Sequence, residues 1–118
     1  LKCKEAGCAA ILVSHHHGRI PFGVAPVMVL PKIKAALEGS GIAIFVDCGI
    51  DTGYDAYKAL ALGADAVAVG RGILKPLLQQ GAEGVEEKVQ KMNEQLSELM
   101  MYTCVKDIRS FDASVLYI

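Results

Sequence analysis

Three short, mostly apolar runs punctuate this chain at residues 10–14, 42–46 and 66–69. They are rich in Val and Ile and too short to be buried helices. Each ends in a cluster of polar residues or glycines. Helix-length segments separate them. Strands that are apolar throughout and alternate with helices predict a parallel sheet covered by helices.

The remaining elements follow from periodicity and punctuation. Residues 1–6 read as a helix ended by Gly7. A loop with Gly18, Pro21, Gly23 and Pro26 covers 15–26. Pro31 suits the first turn of a helix that continues through 32–37 towards Gly39. Residues 49–52 form a tight turn, 54–62 a helix ended by Gly63, and 73–79 a short helix. The longest helical stretch is 84–101, where Val85, Val89, Met92, Leu96, Leu99 and Met100 mark one buried face. A small terminal helix is expected at 110–115. The order is αβαβαβαα.

Three βα units are too few for a complete fold of this kind. A (β/α)8 TIM barrel takes eight strands and about 250 residues, and a free three-stranded sheet leaves two edges bare. The expected fold is α/β, the last three βα units of such a barrel with its closing helices. Residues 1–118 then make a single partial domain with no second one. The first residue, Leu1, falls inside a helical pattern, so the chain reads as a piece of a longer protein. Its bare edges call for a second copy of the chain or for the N-terminal part of the barrel.

Twelve basic and 13 acidic residues give a net charge of −1 with no basic stripe, which argues against a nucleic-acid partner. No apolar run approaches the roughly 20 residues that span a bilayer, so no membrane partner is expected. Cys3, Cys8, Cys48 and Cys104 fit no CxxC spacing and read as free thiols of a cytoplasmic protein. Cys48 stands apart because it lies inside a strand-end cluster.

In parallel α/β folds, ligands bind at the C-terminal strand ends. Three clusters fall there: His15-His16-His17-Gly18-Arg19, Asp47-Cys48-Gly49 and Gly70-Arg71-Gly72. Gly49, Gly53, Gly70 and Gly72 are placed so that a phosphate can approach the backbone, with Arg71 adding charge; the plainer reading is that they make turns. One of the histidines could be a general base. A metal site is a rival reading, although Asp47 and Cys48 supply the nearest other ligands. Plain loop residues are the third. Arg19 could clamp a carboxylate with paired hydrogen bonds, or simply lie on the surface.

The stretch Ser14-His15-His16-His17-Gly18-Arg19 resembles the S-N-H-G-G-R signature of the FMN-dependent 2-hydroxy acid dehydrogenases and oxidases. Phe45-Val46-Asp47-Cys48-Gly49-Ile50 resembles their F-L-D-G-G-V. Residues 58–64, Lys-Ala-Leu-Ala-Leu-Gly-Ala, with Gly70-Arg71 beyond, are similar to K-A-L-A-L-G-A and G-R. The resemblance covers nearly the whole chain and implies barrel strands 6 to 8. It implies FMN as cofactor and a small L-2-hydroxy acid as substrate, oxidised to the 2-keto acid. It places His16 as the base for the 2-hydroxyl proton and Arg19 on the substrate carboxylate. Asp47 and Gly49 fall on the flavin side, and Gly70 with Arg71 on the FMN phosphate. No metal ligand is implied.

The loop Ile20-Pro21-Phe22-Gly23 departs from the family pattern after the arginine, and so do four single positions. His15 replaces asparagine, His17 and Cys48 replace glycines, and Asp51 stands where many members carry an arginine near the phosphate. A carboxylate there repels a phosphate dianion unless it turns away or a cation intervenes. The alternative function is a non-catalytic phosphate- or nucleotide-binding barrel fragment. The earlier strands would supply the remaining flavin contacts, so the fragment alone is expected to be inactive.

Overall fold

The computed structural model describes residues 2–16 and 18–117. The expectations attached to Leu1 and His17 lie outside the described residues.

A short helix α1 (Lys2–Glu5) leads into strand β1 (Ala10–Val13). Helix α2 (Pro26–Ala36) crosses to β2 (Ala43–Val46), and α3 (Gly53–Ala61) crosses to β3 (Ala66–Val67). A 3₁₀ turn (Arg71–Ile73) then runs into α4 (Leu74–Tyr102). All strands are parallel in the order β1-β2-β3, with Val13 opposite Val46 and Val46 opposite Val67. This is the parallel α/β arrangement predicted by the apolar runs.

Alternation along the strands divides the sheet into two faces. Val13, Ile44 and Val46 pack against the helices, joined by Leu30 of α2, Ala56 and Ala59 of α3, and Met92 of α4. Leu30, Ile44 and Val46 are essentially inaccessible to water. Side chains of that size each contribute about 1.5–3 kcal/mol on burial. On the other face Leu12 and Phe45 face each other across the β1–β2 register and stay 50% and 40% exposed.

Several boundaries differ from the sequence-based expectation. Helix α2 begins at Pro26 rather than Pro31, because Pro26, Leu30, Ile33 and Leu37 form one inward stripe at helical spacing. Pro26 takes the N1 position, where a missing N–H is harmless. Pro31 sits inside the helix on its exposed side. Strand β3 is shorter than 66–69 because its ladder with β2 is confined to Ala66 opposite Phe45 and Val67 opposite Val46. Gly81, at φ 65° and ψ −143°, breaks α4 into two helical pieces, close to the separate helices expected at 73–79 and 84–101. Along the second piece Met92 is buried, whereas Val89 is 45% exposed and lies off the covered face. The terminal helix expected at 110–115 is only a 3₁₀ turn, Ala113–Val115, capped by Asp112.

The close crossing of α3 and α4 depends on Gly53. A Cβ there would collide with the Met92 carbonyl oxygen and crowd the Leu96 amide at 2.7 Å. The Gly53 amide instead donates to Gln95 Oε1 at 2.9 Å. Among the described residues, no helix is long and apolar enough to cross a membrane.

Candidate active site

Because the strands are parallel, the segments following β1, β2 and β3 emerge at one end of the sheet. The three chemistry-bearing clusters therefore share a rim.

The loop after β1 folds around its own side chains. The Gly18 amide donates to His15 Nδ1 at 2.9 Å, and the Arg19 amide to the His15 carbonyl at 3.3 Å. An N–H can only donate, so His15 presents an unprotonated Nδ1 and closes the loop. His16 adopts the left-handed region at φ 47°. Its amide donates to Ser14 Oγ at 3.1 Å, and its Nδ1 lies 3.5 Å from the same oxygen. Its imidazole is exposed, as is Arg19. Of the His15/His16 pair, the second is the one left available for chemistry.

The turn after β2 carries Asp47, Cys48 and Gly49. The Asp47 amide extends the ladder by donating to the Val13 carbonyl at 3.3 Å. Cys48 and Gly49 then both enter the left-handed region, at φ 65° and 91°. For a residue with a Cβ this conformation costs about 1–2 kcal/mol. It brings Cys48 Sγ to 3.4 Å from Ser14 Oγ, a contact that ties the first strand end to the second.

Helix α3 starts from this turn with a reciprocal cap. Thr52 Oγ1 accepts from the Asp55 amide at 3.2 Å, and Asp55 Oδ2 accepts from the Thr52 amide at 2.9 Å. Burial acts to raise the Asp55 carboxyl. The Thr52 hydroxyl and the amides of Asp51 and Thr52 outweigh it and hold the group below its ordinary range.

The segment after β3 completes the rim. Ala68 donates to the Val46 carbonyl at 2.8 Å, and Gly70 precedes the 3₁₀ turn that begins at Arg71. Asp47, Gly49, Gly70 and Arg71 line one open cavity of about 360 Å³, together with Cys48 and Asp51. Open space flanks Gly49 and Gly70 where a Cβ would project, so a ligand can reach both backbones. This donor set, bare amides beside a guanidinium, suits a phosphate ester such as that of FMN. His16 and Arg19 are not among the residues lining that cavity; His16 connects to it through Ser14 and Cys48, and Arg19 reaches the same loop through the His15 carbonyl.

Sequence reasoning missed Ser14 as the link between two loops, and it missed Lys88. The ammonium of Lys88 lies 3.3 Å from Asp51 Oδ1. A signal was present: Lys88 falls on the stripe of Gly84 and Met92, the two buried positions of α4. A charge on a buried stripe asks for a partner. Among the described residues, no group of three or more His, Cys, Asp or Glu side chains is arranged to hold a metal ion.

A second cavity, about 400 Å³, opens beside the start of β3 near Lys34, Asp65 and Arg109. Asp65 there accepts from the Ile44 amide at 2.7 Å and serves the sheet.

Comparison with known proteins places the chain in a family. Residues 1–118 match the family described as FMN-dependent dehydrogenase. The chain is 40% identical to an L-lactate oxidase of Lactobacillus jensenii over 111 residues, covering 91% of this chain and 27% of that protein. It is 39% identical to 2-hydroxyacid oxidase 1 of Homo sapiens over 110 residues, covering 92% of this chain and 30% of that protein. Among solved structures, a flavocytochrome b2 variant with sulfite bound superposes with a TM-score of 0.91 at 31% identity, covering 97% of this chain and 31% of the other. A mandelate oxidase variant with an FMN adduct gives 0.80 at 38% identity, over 85% and 32%. The chain thus spans about a third or less of the length of these relatives. A match along its whole length, with the same fold, shows that the chain belongs to the FMN-dependent dehydrogenase family.

Proposed function

We propose that this chain forms strands 6 to 8 of a (β/α)8 barrel which, in the intact protein, oxidises a small L-2-hydroxy acid to the 2-keto acid with FMN. The observation that carries the reading is the shared rim: the Ser14–Cys48 contact joins the His16 loop to the Asp47 turn, and one cavity joins the Asp47 turn to the Arg71 turn. The half-exposed Leu12–Phe45 pair supports a sheet whose inner face is meant to be covered by further strands.

Each residue then has a task. Gly70 and Arg71 hold the phosphate, through backbone amides and a guanidinium. Asp47 and Gly49 lie on the flavin side. Arg19 clamps the substrate carboxylate and so aims the 2-hydroxyl at His16. His16 accepts the hydroxyl proton as the carbonyl forms. FMN, when bound, supplies the acceptor for the α-hydrogen and its electrons.

Anaerobic addition of L-lactate or glycolate to the FMN-loaded intact protein tests this. Bleaching of the oxidised flavin absorbance is the expected result. Tight FMN binding without bleaching by any short-chain 2-hydroxy acid would leave the non-catalytic alternative, and failure to retain FMN would remove the reading altogether.

A further inference from the structure

Asp51 poses an electrostatic problem. It lies at the lip of the cavity assigned to the phosphate, where a carboxylate opposes a dianion. The family resemblance puts an arginine at this position. The charge is not left uncompensated, because Lys88 Nζ approaches Asp51 Oδ1 at 3.3 Å.

This is not an ordinary surface pair, of the kind that contributes little. The Lys88 side chain is only 22% exposed, against 64% for Asp51. Lys88 sits four residues from each of the buried positions Gly84 and Met92, on the packed side of α4. Asp51 is seated against Gly72, whose missing Cβ leaves room for Oδ1. The pair borders a third cavity of about 410 Å³ that Arg71 and Lys75 also line. Both cavities share Asp51, Arg71 and Gly72, so they adjoin. Arg71, Lys75 and Lys88 face the Asp51 carboxylate around the third cavity, whereas the adjoining one sets Arg71 beside two carboxylates, Asp47 and Asp51, so the added cations lie on the Lys88 side.

We propose that Lys88, steered by Asp51, is a phosphate-binding cation of this rim, delivered from α4 in place of the arginine expected at position 51. The proposal rests on the FMN reading for its ligand and goes beyond it in assigning Lys88. Asp51 acts as a positioning residue that keeps the ammonium at the rim. The cation has changed elements, from the turn after β2 to a helix face that crosses beside it.

The test compares FMN with riboflavin, which lacks the phosphate, by flavin-fluorescence titration of the intact protein. Lys88→Met should weaken FMN binding about tenfold, as expected for losing one hydrogen bond to a charged group, and leave riboflavin binding unchanged. Adding Asp51→Arg to Lys88→Met should recover FMN affinity. FMN affinity unchanged in Lys88→Met overturns the proposal, as does an equal loss for both flavins. Should the protein bind neither flavin, the FMN reading fails, and inorganic phosphate becomes the probe of Lys88. Phosphate-induced amide shifts at Gly70 and Gly72 that vanish in Lys88→Met sustain the proposal; their absence in the unaltered protein, or their persistence in Lys88→Met, overturns it.

Discussion

The turn after β2 and the loop after β1 stand side by side on one rim, yet they are held in opposite ways. The turn is fastened from several directions: the Thr52–Asp55 cap, the Gly53–Gln95 hydrogen bond and the Asp51–Lys88 pair join it to two helices. The loop carries the exposed residues His16 and Arg19, held among the described residues by the local bonds of Ser14 and His15 and by the Ser14–Cys48 contact. The side proposed for the phosphate is thus preorganised by contacts spread over the fold. The side proposed for acid–base chemistry is preorganised up to the backbone of His16, whose ring is exposed.

This contrast can be broken in order of effect. His16→Ala should lower turnover of the intact protein by roughly 10²–10⁴ while FMN affinity and melting temperature stay level, because the residue is exposed. Steady-state kinetics beside a thermal melt checks both halves, and a matching loss of stability would mean that the loop is structural. Gly53→Leu should do the reverse. Overpacking the α3–α4 crossing costs about 3 kcal/mol, read as a lower urea midpoint with FMN binding weakened in step. A crossing that tolerates leucine would show that α4 does not pin the turn.

Arg19→Lys should raise KM by about tenfold with little change in kcat, since an ammonium cannot reproduce the paired geometry of a guanidinium. An unchanged KM moves the carboxylate clamp elsewhere. Smallest is the cap: Thr52→Ala should cost about 1 kcal/mol in equilibrium unfolding. Its pH dependence has a definite sign. The folded Asp55 carboxyl is held below its ordinary value, so the cap contributes fully above the unfolded carboxylate range. That contribution fades as pH falls through the depressed folded value. Asp55→Asn should flatten this acid limb, and an unaltered limb would place the acid sensitivity in another group.

Much of the fold was legible because short range decided it. The apolar runs specified three strands, and Gly63 closed α3 where periodicity placed its end. The start of α2 was misread because two prolines competed and only the Leu30–Ile33–Leu37 stripe chooses between them. The length of β3 was overestimated because hydropathy does not reveal where the ladder to the neighbouring strand stops. The common rim of the six candidate residues followed from parallel topology. The Lys88–Asp51 and Ser14–Cys48 contacts each join residues more than thirty positions apart, and no local rule brings such residues together.

The uncovered side of the sheet has a relief. Leu12, Phe45 and Ala66 stand in one row across the three strands, and Ala10 with Ala43 form the row beneath. The surface runs from two tall side chains down to alanines. Whatever seals it must be its cast: hollow over Leu12 and Phe45, bulky over the alanines. Enlarging Ala43 should therefore jam the seal, whereas trimming Phe45 should leave a void in it.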